Sequence, residues 1–473
     1  MRKAWGISLV LLLLCCKAAS ASTLLVKAKG QVLQRNGVPW LTLGDGSAQD
    51  IMGLLTPAEM AQYFSMRHAE GFNAVWVNLL CASYTGCASS GAAQDGTLPF
   101  TSGSNPSNYD LSAPNPAYFA EVDNMLRLAA SYRIVVILDP AETGGWLTTL
   151  VNNGPIKAFN YGAYVGHRYR NFNNIIWLAG NDFQSWSAAG FPQGTTDPAV
   201  AAADNAGVAN LMAGISSADA NHLQSIELDY YLSGSLDDSS TVPYTTLASS
   251  YTYSPSYFET CAEYTSSVAT VPVFLVETYW ANATYGNLTP TTATNMMLRA
   301  AAYWTVLAGG FGGYVFGDGN ILLFPSGWQA NMATVVTTQL HTWWKFFTSF
   351  TNWQNLVPDT VHAIVTSGYG TPTGEPSGTP GVGRGNMSTD NYSPCAGTAD
   401  TKLAVCYDPQ ANALTVALSW FTAPARARWF DPTSGVYSTI PGSPFSNSGT
   451  HSFATSGNNA AGDHDWILVL DHP

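Results

Sequence analysis

The chain has 473 residues, which is too long for one typical domain, and 46% of them are apolar. Only 10% are charged, and the formal net charge is −13. Such a charge repels phosphate backbones and anionic lipid, so we expect neither nucleic acid nor a membrane as a partner.

The first 21 residues have the pattern of a signal peptide. A basic start precedes an apolar run over 7–16, and small residues at 19–21 supply a cleavage site. The apolar run is too short to span a bilayer. We therefore expect secretion, to the periplasm or the cell exterior. Lipidation at Cys15 or Cys16 is the less favoured alternative, because neither cysteine follows a small residue.

Five cysteines remain after the predicted signal peptide. Pairs Cys81–Cys87 and Cys395–Cys406 would each close a short loop, as export permits. Cys261 is then left over, and we expect it to be buried. No cysteine and histidine spacing resembles a zinc site, and no glycine-rich phosphate loop is present, so we expect no metal and no cofactor.

Strand and helix patterns alternate from about residue 24 to 355. Strands are predicted at 40–43, 74–78, 134–139, 175–178, 223–227, 247–251, 273–277 and 313–316. Helices are predicted at 57–70, 116–132, 156–172, 199–218, 257–268, 292–308 and 331–350. Eight such units predict a (β/α)8 TIM barrel, an α/β fold, as a catalytic domain over 22–357. A doubly wound open sheet is the alternative.

The remainder, residues 358–473, has a different character. A stretch rich in Gly, Pro, Ser and Thr, residues 366–394, predicts a long loop. Short strands separated by turn residues are predicted at 361–366, 402–407, 413–420, 427–430 and 466–470. We expect a small antiparallel β-sandwich domain.

Two apolar runs each end in a carboxylic acid. Residues 174–182 end in Asp182, and residues 271–277 end in Glu277. In a parallel barrel the carboxyl ends of the strands share one rim, so these acids would meet there. Paired carboxylates at such a rim suggest glycoside hydrolysis. A helix cap for Asp182 and a salt bridge for Glu277 are the structural alternatives.

Other polar and aromatic residues fall at the same predicted strand ends and loops. Carboxylates and amides can bind sugar hydroxyls, and aromatic rings can contact the apolar face of a sugar ring, although ordinary loop packing explains many such aromatics. The candidates for substrate binding are Asp45, Asn78, Trp146, Asn181, Trp280 and Tyr314.

The motifs that carry these residues resemble those of the apiosidase-like glycosidases, glycoside hydrolase family 140. They are Asn36-Gly37-Val38-Pro39-Trp40, Leu43-Gly44-Asp45, Arg168-Tyr169, Asn174-Ile175-Ile176-Trp177, Gly180-Asn181-Asp182, Val276-Glu277 and the stretch 299–310. Residues 427–435 and 465–470 resemble the collagen-binding-type sandwich domain that often follows. The resemblance covers nearly all of the chain after the signal peptide.

The resemblance implies a retaining enzyme that needs no metal or organic cofactor. Asp182 would be the acid/base and Glu277 the nucleophile, while Asn181 would bind the hydroxyl beside the anomeric centre. Asp45 would bind hydroxyls in the same subsite. The loops at 45–48 and 139–142 depart from the family pattern where the sugar would be selected. An apioside or another furanoside is therefore an expectation of the family alone.

Two further interpretations remain open. A non-catalytic carbohydrate- or matrix-binding protein could use a barrel that has lost its activity, although the intact acid pair argues against this. A transglycosylase would use the same intermediate and deliver it to a second sugar. In every case the expected partner is a poly- or oligosaccharide, and the oligomeric state is not predicted.

Overall fold

The structure is a computed structural model that describes residues 23–188, 194–229, 234–286, 288–373, 385–455 and 457–472. The predicted signal peptide, residues 1–21, lies outside these ranges. So do residues 374–384, in the middle of the predicted loop 366–394.

Eight parallel strands form the predicted barrel. In chain order, barrel strands 1 to 8 are Thr42–Asp45, Ala74–Asn78, Val135–Asp139, Ile175–Phe183, Gln224–Leu228, Ala248–Tyr251, Val273–Glu277 and Gly313–Phe316. Strand 8 pairs with strand 1, and strands 5 and 6 close the sheet, which together exclude an open doubly wound sheet. Strands 5 and 6 are joined where the Leu247 N–H donates to the Gln224 carbonyl at 3.1 Å.

Successive side chains along each strand point alternately into the barrel interior and outward to the helices. Trp76 and Ile137 lie in the interior cluster, whereas Val75 and Val136 pack against the surrounding helices. Because both faces are buried, the strands are apolar almost throughout. An antiparallel sheet of Val26–Lys29, Val32–Arg35 and Val38–Pro39 precedes strand 1 and covers the amino-terminal end of the barrel.

The structure describes eight α-helices, and capping residues in the sequence mark the starts of some of them. The helices are Ile51–Leu54, Pro57–Ala69, Pro116–Ser131, Thr143–Tyr169, Pro198–Ala218, Tyr257–Thr265, Asn295–Leu307 and Val335–Thr348. Thr56 and Glu59 form a capping box, and the Asp197 side chain caps the helix that starts with a proline. The helix predicted at 156–172 is only the second half of Thr143–Tyr169, which kinks at Gly154.

Two antiparallel sheets follow the barrel. The larger has the order Leu356–Pro358, Cys395–Thr398, Leu403–Asp408, Trp466–Asp471, Arg426–Phe430 and Tyr437–Thr439, and the smaller is Val365–Ser367, Leu414–Ala417 and Thr450–Phe453. On the larger sheet, Cys406 and Leu468 face the smaller sheet. Tyr407 and Ile467 pack against barrel helices. This sheet therefore joins the C-terminal region to the barrel.

Both predicted disulfides are present. Cys81 bonds to Cys87 and Cys395 bonds to Cys406. The Cys395–Cys406 bond joins neighbouring antiparallel strands that place these residues opposite each other. Cys261 is free, as predicted, but it is half-buried rather than fully buried.

Candidate active site

Barrel strand 4 ends in an irregular turn that carries Asp182. Its pairing with strand 5 shifts register between Ala179 and Phe183, which marks a β-bulge. Within the bulge Gly180, Asn181 and Asp182 have φ angles of 102°, 63° and 56°. The left-handed region is costly for residues other than glycine, and such residues concentrate at functional sites. A Cβ atom on Gly180 would lie 2.1 Å from the Glu227 carbonyl oxygen, so this position requires glycine.

Barrel strand 7 ends at Glu277, which is only 8% exposed. Its pairing with strand 6 also shifts register just before this residue. The Oε1 atom accepts hydrogen bonds from the Tyr251 hydroxyl at 3.0 Å and the Tyr253 hydroxyl at 2.8 Å. The Trp280 side chain adds another hydrogen bond. Three uncharged donors therefore surround this carboxylate.

Tyr251 connects the two predicted acids, since its hydroxyl is also hydrogen-bonded to Asp182. Because both carboxyl groups contact this one oxygen, they lie on the order of 6 Å from each other. A tyrosine hydroxyl has one proton and can donate to only one carboxyl. The other carboxyl must therefore be protonated if both hydrogen bonds are to form.

The surroundings of the pair favour a shared proton. Burial raises the pKa of Asp182, and the Tyr251 hydrogen bond opposes that rise. Burial, followed by the negative charge of Asp182, raises the pKa of Glu277 to about 8, and its hydrogen bonds oppose the rise. Tyr253 and Trp280 donate to Glu277 alone, which favours Glu277 as the ionised member of the pair.

A third carboxyl, that of Glu227 on barrel strand 5, touches the same turn. It is fully buried, and its Oε2 atom accepts the Asp182 N–H at 3.1 Å. Its Oε1 atom has no hydrogen-bond partner among the described residues. Burial, then the charges of Glu277 and Asp182, hold the pKa of Glu227 well above its ordinary value.

A cleft of about 570 Å³ opens beside Asp182. It is lined by Tyr84, Thr143, Gly144, Leu147, Asn181, Asp182, Gln184, Ser185, Tyr251, Tyr253, Tyr285 and Leu288. Its walls combine aromatic rings with hydroxyl and amide groups, which is the mixture that a sugar ring requires. The cleft is large enough for a small ligand.

The structure brings three predicted site residues close to the acid pair. Asn181 lines the cleft, and Trp280 is hydrogen-bonded to Glu277. Tyr314 is fully buried, and the charge of Glu277 contributes to raising its pKa. Its hydroxyl has no partner among the described residues.

Three other predicted substrate-binding residues are fully buried outside the cleft lining. Asp45 is paired with Arg67 and receives the Tyr63 hydroxyl. Asn78 accepts the indole N–H of Trp76 at 3.1 Å. Trp146 stacks on Tyr109 and donates its indole N–H to the Cys81 carbonyl at 3.2 Å. In this structure these side chains have no exposed surface for a sugar.

Sequence reasoning missed several residues of the site. Glu227 ends the predicted strand 223–227 but is not among the candidates from the sequence. Tyr251 and Tyr253 lie at and just after strand 6, whose pattern is weakly apolar. Tyr84 lies in the loop closed by Cys81 and Cys87, and that short cysteine spacing was the available signal.

One group of possible metal ligands lies close together in the described part of the chain: Asp50, Cys81 and Cys87. The two sulfur atoms are bonded to each other, which leaves one carboxylate. Among the helices that the structure describes, none is long and apolar enough to cross a membrane.

Two known protein families match this chain, one over the barrel and one over the C-terminal region. The family described as "Apiosidase-like, catalytic domain" matches residues 27–354, and "Putative collagen-binding domain of a collagenase" matches residues 385–471. An apiosidase cleaves a glycosidic bond, so the protein is a glycoside hydrolase. The chain belongs to the apiosidase-like family.

Solved structures with the same fold cover nearly the whole chain. A protein titled only "Glycoside hydrolase" has a TM-score of 0.73 at 17% identity, over 95% of this chain and 97% of its own. A glycoside hydrolase family 5 protein from Bacteroides vulgatus has a TM-score of 0.72 at 18% identity, over 95% and 93%. No curated protein sequence matches the chain.

Proposed function

We propose that the protein is a secreted retaining glycoside hydrolase in which Glu277 is the nucleophile and Asp182 the acid/base. The observation that carries this proposal is the Tyr251 hydroxyl, which is hydrogen-bonded to both carboxyl groups. Carboxyls of retaining enzymes lie about 5–5.5 Å apart, and a single bridging oxygen is compatible with that spacing.

In the first step Asp182 protonates the leaving-group oxygen while Glu277 attacks the anomeric carbon. The bond to the leaving group breaks, and a glycosyl ester forms on Glu277. Asp182 then removes a proton from water, which attacks the same carbon and releases Glu277. The hydrogen bonds support this division of roles, because Tyr253 and Trp280 stabilise the ionised form of Glu277, while burial raises the pKa of Asp182.

The proposed substrate is a poly- or oligosaccharide from a plant or microbe, with an apioside or another furanoside as the first choice. Membership of the apiosidase-like family supports this choice. The cleft supports a compact sugar, because Tyr84, Tyr253 and Tyr285 line a space of about 570 Å³. The predicted signal peptide and the two disulfides support secretion.

A panel of aryl glycosides, including apiosides and arabinofuranosides, tests the proposal. We expect Glu277→Gln to lower kcat on the best substrate by about a thousandfold or more, since the side chain can no longer form the ester. Asp182→Asn should lose less activity on substrates with good leaving groups, which need no proton from the enzyme.

The matched control is Glu263→Gln, which changes a buried glutamate on the helix Tyr257–Thr265. It should keep wild-type kcat. Full activity of Glu277→Gln would disprove the nucleophile assignment. An inverted anomeric configuration in the first product would disprove the retaining mechanism.

A further inference from the structure

The loop between Cys81 and Cys87 stands beside the cleft and is fixed from several sides. The disulfide joins the ends of the loop, with 5.9 Å between the Cα atoms. The Cys87 N–H donates to the Ala82 carbonyl, and the Ala82 N–H donates to Asp50, both at 3.1 Å. Thr85 also donates to the Asp50 carboxylate. Such a loop keeps its shape when a ligand binds.

Tyr84 projects from this loop with an unusual combination of exposure and restraint. It is 54% exposed and lines the cleft. Its hydroxyl donates to Glu142 Oε2 at 3.2 Å and accepts from Asn181 Nδ2 at 3.2 Å. The ring is therefore accessible, while the hydroxyl is held by the protein.

We propose that Tyr84 is a substrate-binding residue that presents its ring to the sugar and orients the Asn181 amide toward a sugar hydroxyl. The inference rests on the proposed glycosidase function. A side chain that is already fixed loses little entropy on binding, which favours it as a contact surface. Because Asn181 donates to Tyr84 through Nδ2, its Oδ1 atom is the group that can accept a hydrogen bond from substrate.

Glu142 makes this arrangement rigid from the other side. It is fully buried, and a Cβ atom on Gly144 would lie 2.9 Å from Glu142 Oε2 and 2.7 Å from the Tyr84 ring. The glycine at position 144 therefore leaves the space in which the Tyr84 ring and the Glu142 carboxyl meet. The contact joins the loop after strand 2 to the loop after strand 3.

Two substitutions at Tyr84 separate its two roles, with the best substrate of the wild type as the probe. Tyr84→Phe keeps the ring and should lower kcat about three- to tenfold with KM nearly unchanged, because Asn181 loses its restraint. Tyr84→Ala should in addition raise KM about three- to tenfold. Thermal unfolding should change little in both variants, because the ring is half-exposed.

The two disulfides supply a matched pair of controls. Cys81→Ser with Cys87→Ser should raise KM, because the loop that carries Tyr84 loses its closure. Cys395→Ser with Cys406→Ser, in the C-terminal sheet, should leave KM unchanged. If the first pair fails to fold, the Tyr84 variants decide the matter alone.

The outcomes separate this inference from the proposed function. Wild-type KM and kcat in Tyr84→Ala, together with an inactive Glu277→Gln, would overturn the inference and leave the glycosidase assignment intact. A wild-type protein inactive on every glycoside would overturn both. Equal affinity of Glu277→Gln with and without Tyr84→Ala for the same substrate, measured by calorimetry, would also reject the inference.

Discussion

The carboxylates of two regions of this protein have different partners. Between the barrel and the C-terminal sheets, Asp465 is fully buried and receives two hydrogen bonds from Arg299, at 2.6 and 2.9 Å. At the barrel rim, Asp182, Glu227 and Glu277 form no ion pair with a lysine or arginine in the described part of the chain. The paired charges hold the barrel and the C-terminal sheets together. The unpaired acids at the rim retain the shifted pKa values that proton transfer requires.

The largest expected effect on stability comes from removing the cation of the paired region. Arg299→Met leaves Asp465 buried without its partner, and this should lower the free energy of unfolding by about 3–5 kcal/mol. Urea denaturation measures the change. The control is Arg426→Met, which removes an equally bidentate pair with Asp471 that is partly exposed, with 41% of the arginine side chain accessible. A loss below about 1 kcal/mol is expected there.

At the rim, removing a charge should raise the free energy of unfolding instead of lowering it. Because burial raises the pKa of Glu227 well above its ordinary value, the folded protein keeps this proton to a higher pH than the unfolded chain does. Wild-type stability therefore falls as pH rises above the ordinary carboxyl range. Glu227→Gln cannot ionise, so its free energy of unfolding should exceed that of the wild type by on the order of 1 kcal/mol at pH 8.

Urea denaturation at two pH values tests this prediction. The stability advantage of Glu227→Gln should disappear near pH 4, where the glutamate is protonated in both folded and unfolded protein. A variant that is less stable than the wild type at pH 8 would show that the charge of Glu227 is compensated, and the contrast between the two regions would then fail.

The smallest expected effect concerns a single hydrogen bond at Glu277. Tyr253→Phe removes a donor at 2.8 Å that stabilises the ionised carboxyl, so the pKa of Glu277 should rise further. The nucleophile must be ionised, so the acidic limb of kcat/KM should move to higher pH by about half to one unit. Tyr279→Phe, whose hydroxyl donates to the Pro290 carbonyl, should leave that limb in place.

Much of the barrel was predictable because its strands have two buried faces. Near-continuous apolar runs such as 273–277 stand out between polar loops, and the observed strand Val273–Glu277 has the predicted bounds. The helix Thr143–Tyr169 was predicted only in part, because Gly154 and Pro155 interrupt its pattern. The helical conformation is broken at Gly154, where φ is 73°, and a second helical segment continues to Tyr169.

The polar environment of the site was less predictable. Asp45 was expected beside the sugar, yet Arg67 on the helix Pro57–Ala69 pairs with it. Nothing in the local sequence connects these residues, because a helix turn and a strand end meet only in the folded barrel. For the same reason the hydroxyl of Tyr251 could not be linked to Asp182 and Glu277 in advance.

The sequence by itself determined that two acids lie at the ends of the fourth and seventh of eight buried strands, because near-continuous apolar runs between polar loops define strands and their ends. It also suggested the two disulfide pairs, which the structure then showed. Only the tertiary structure decided which polar groups surround the acids. Hydrogen bonds, burial and charge act over a few ångströms between residues far apart in the chain, and these contacts set the protonation of Asp182 and Glu277.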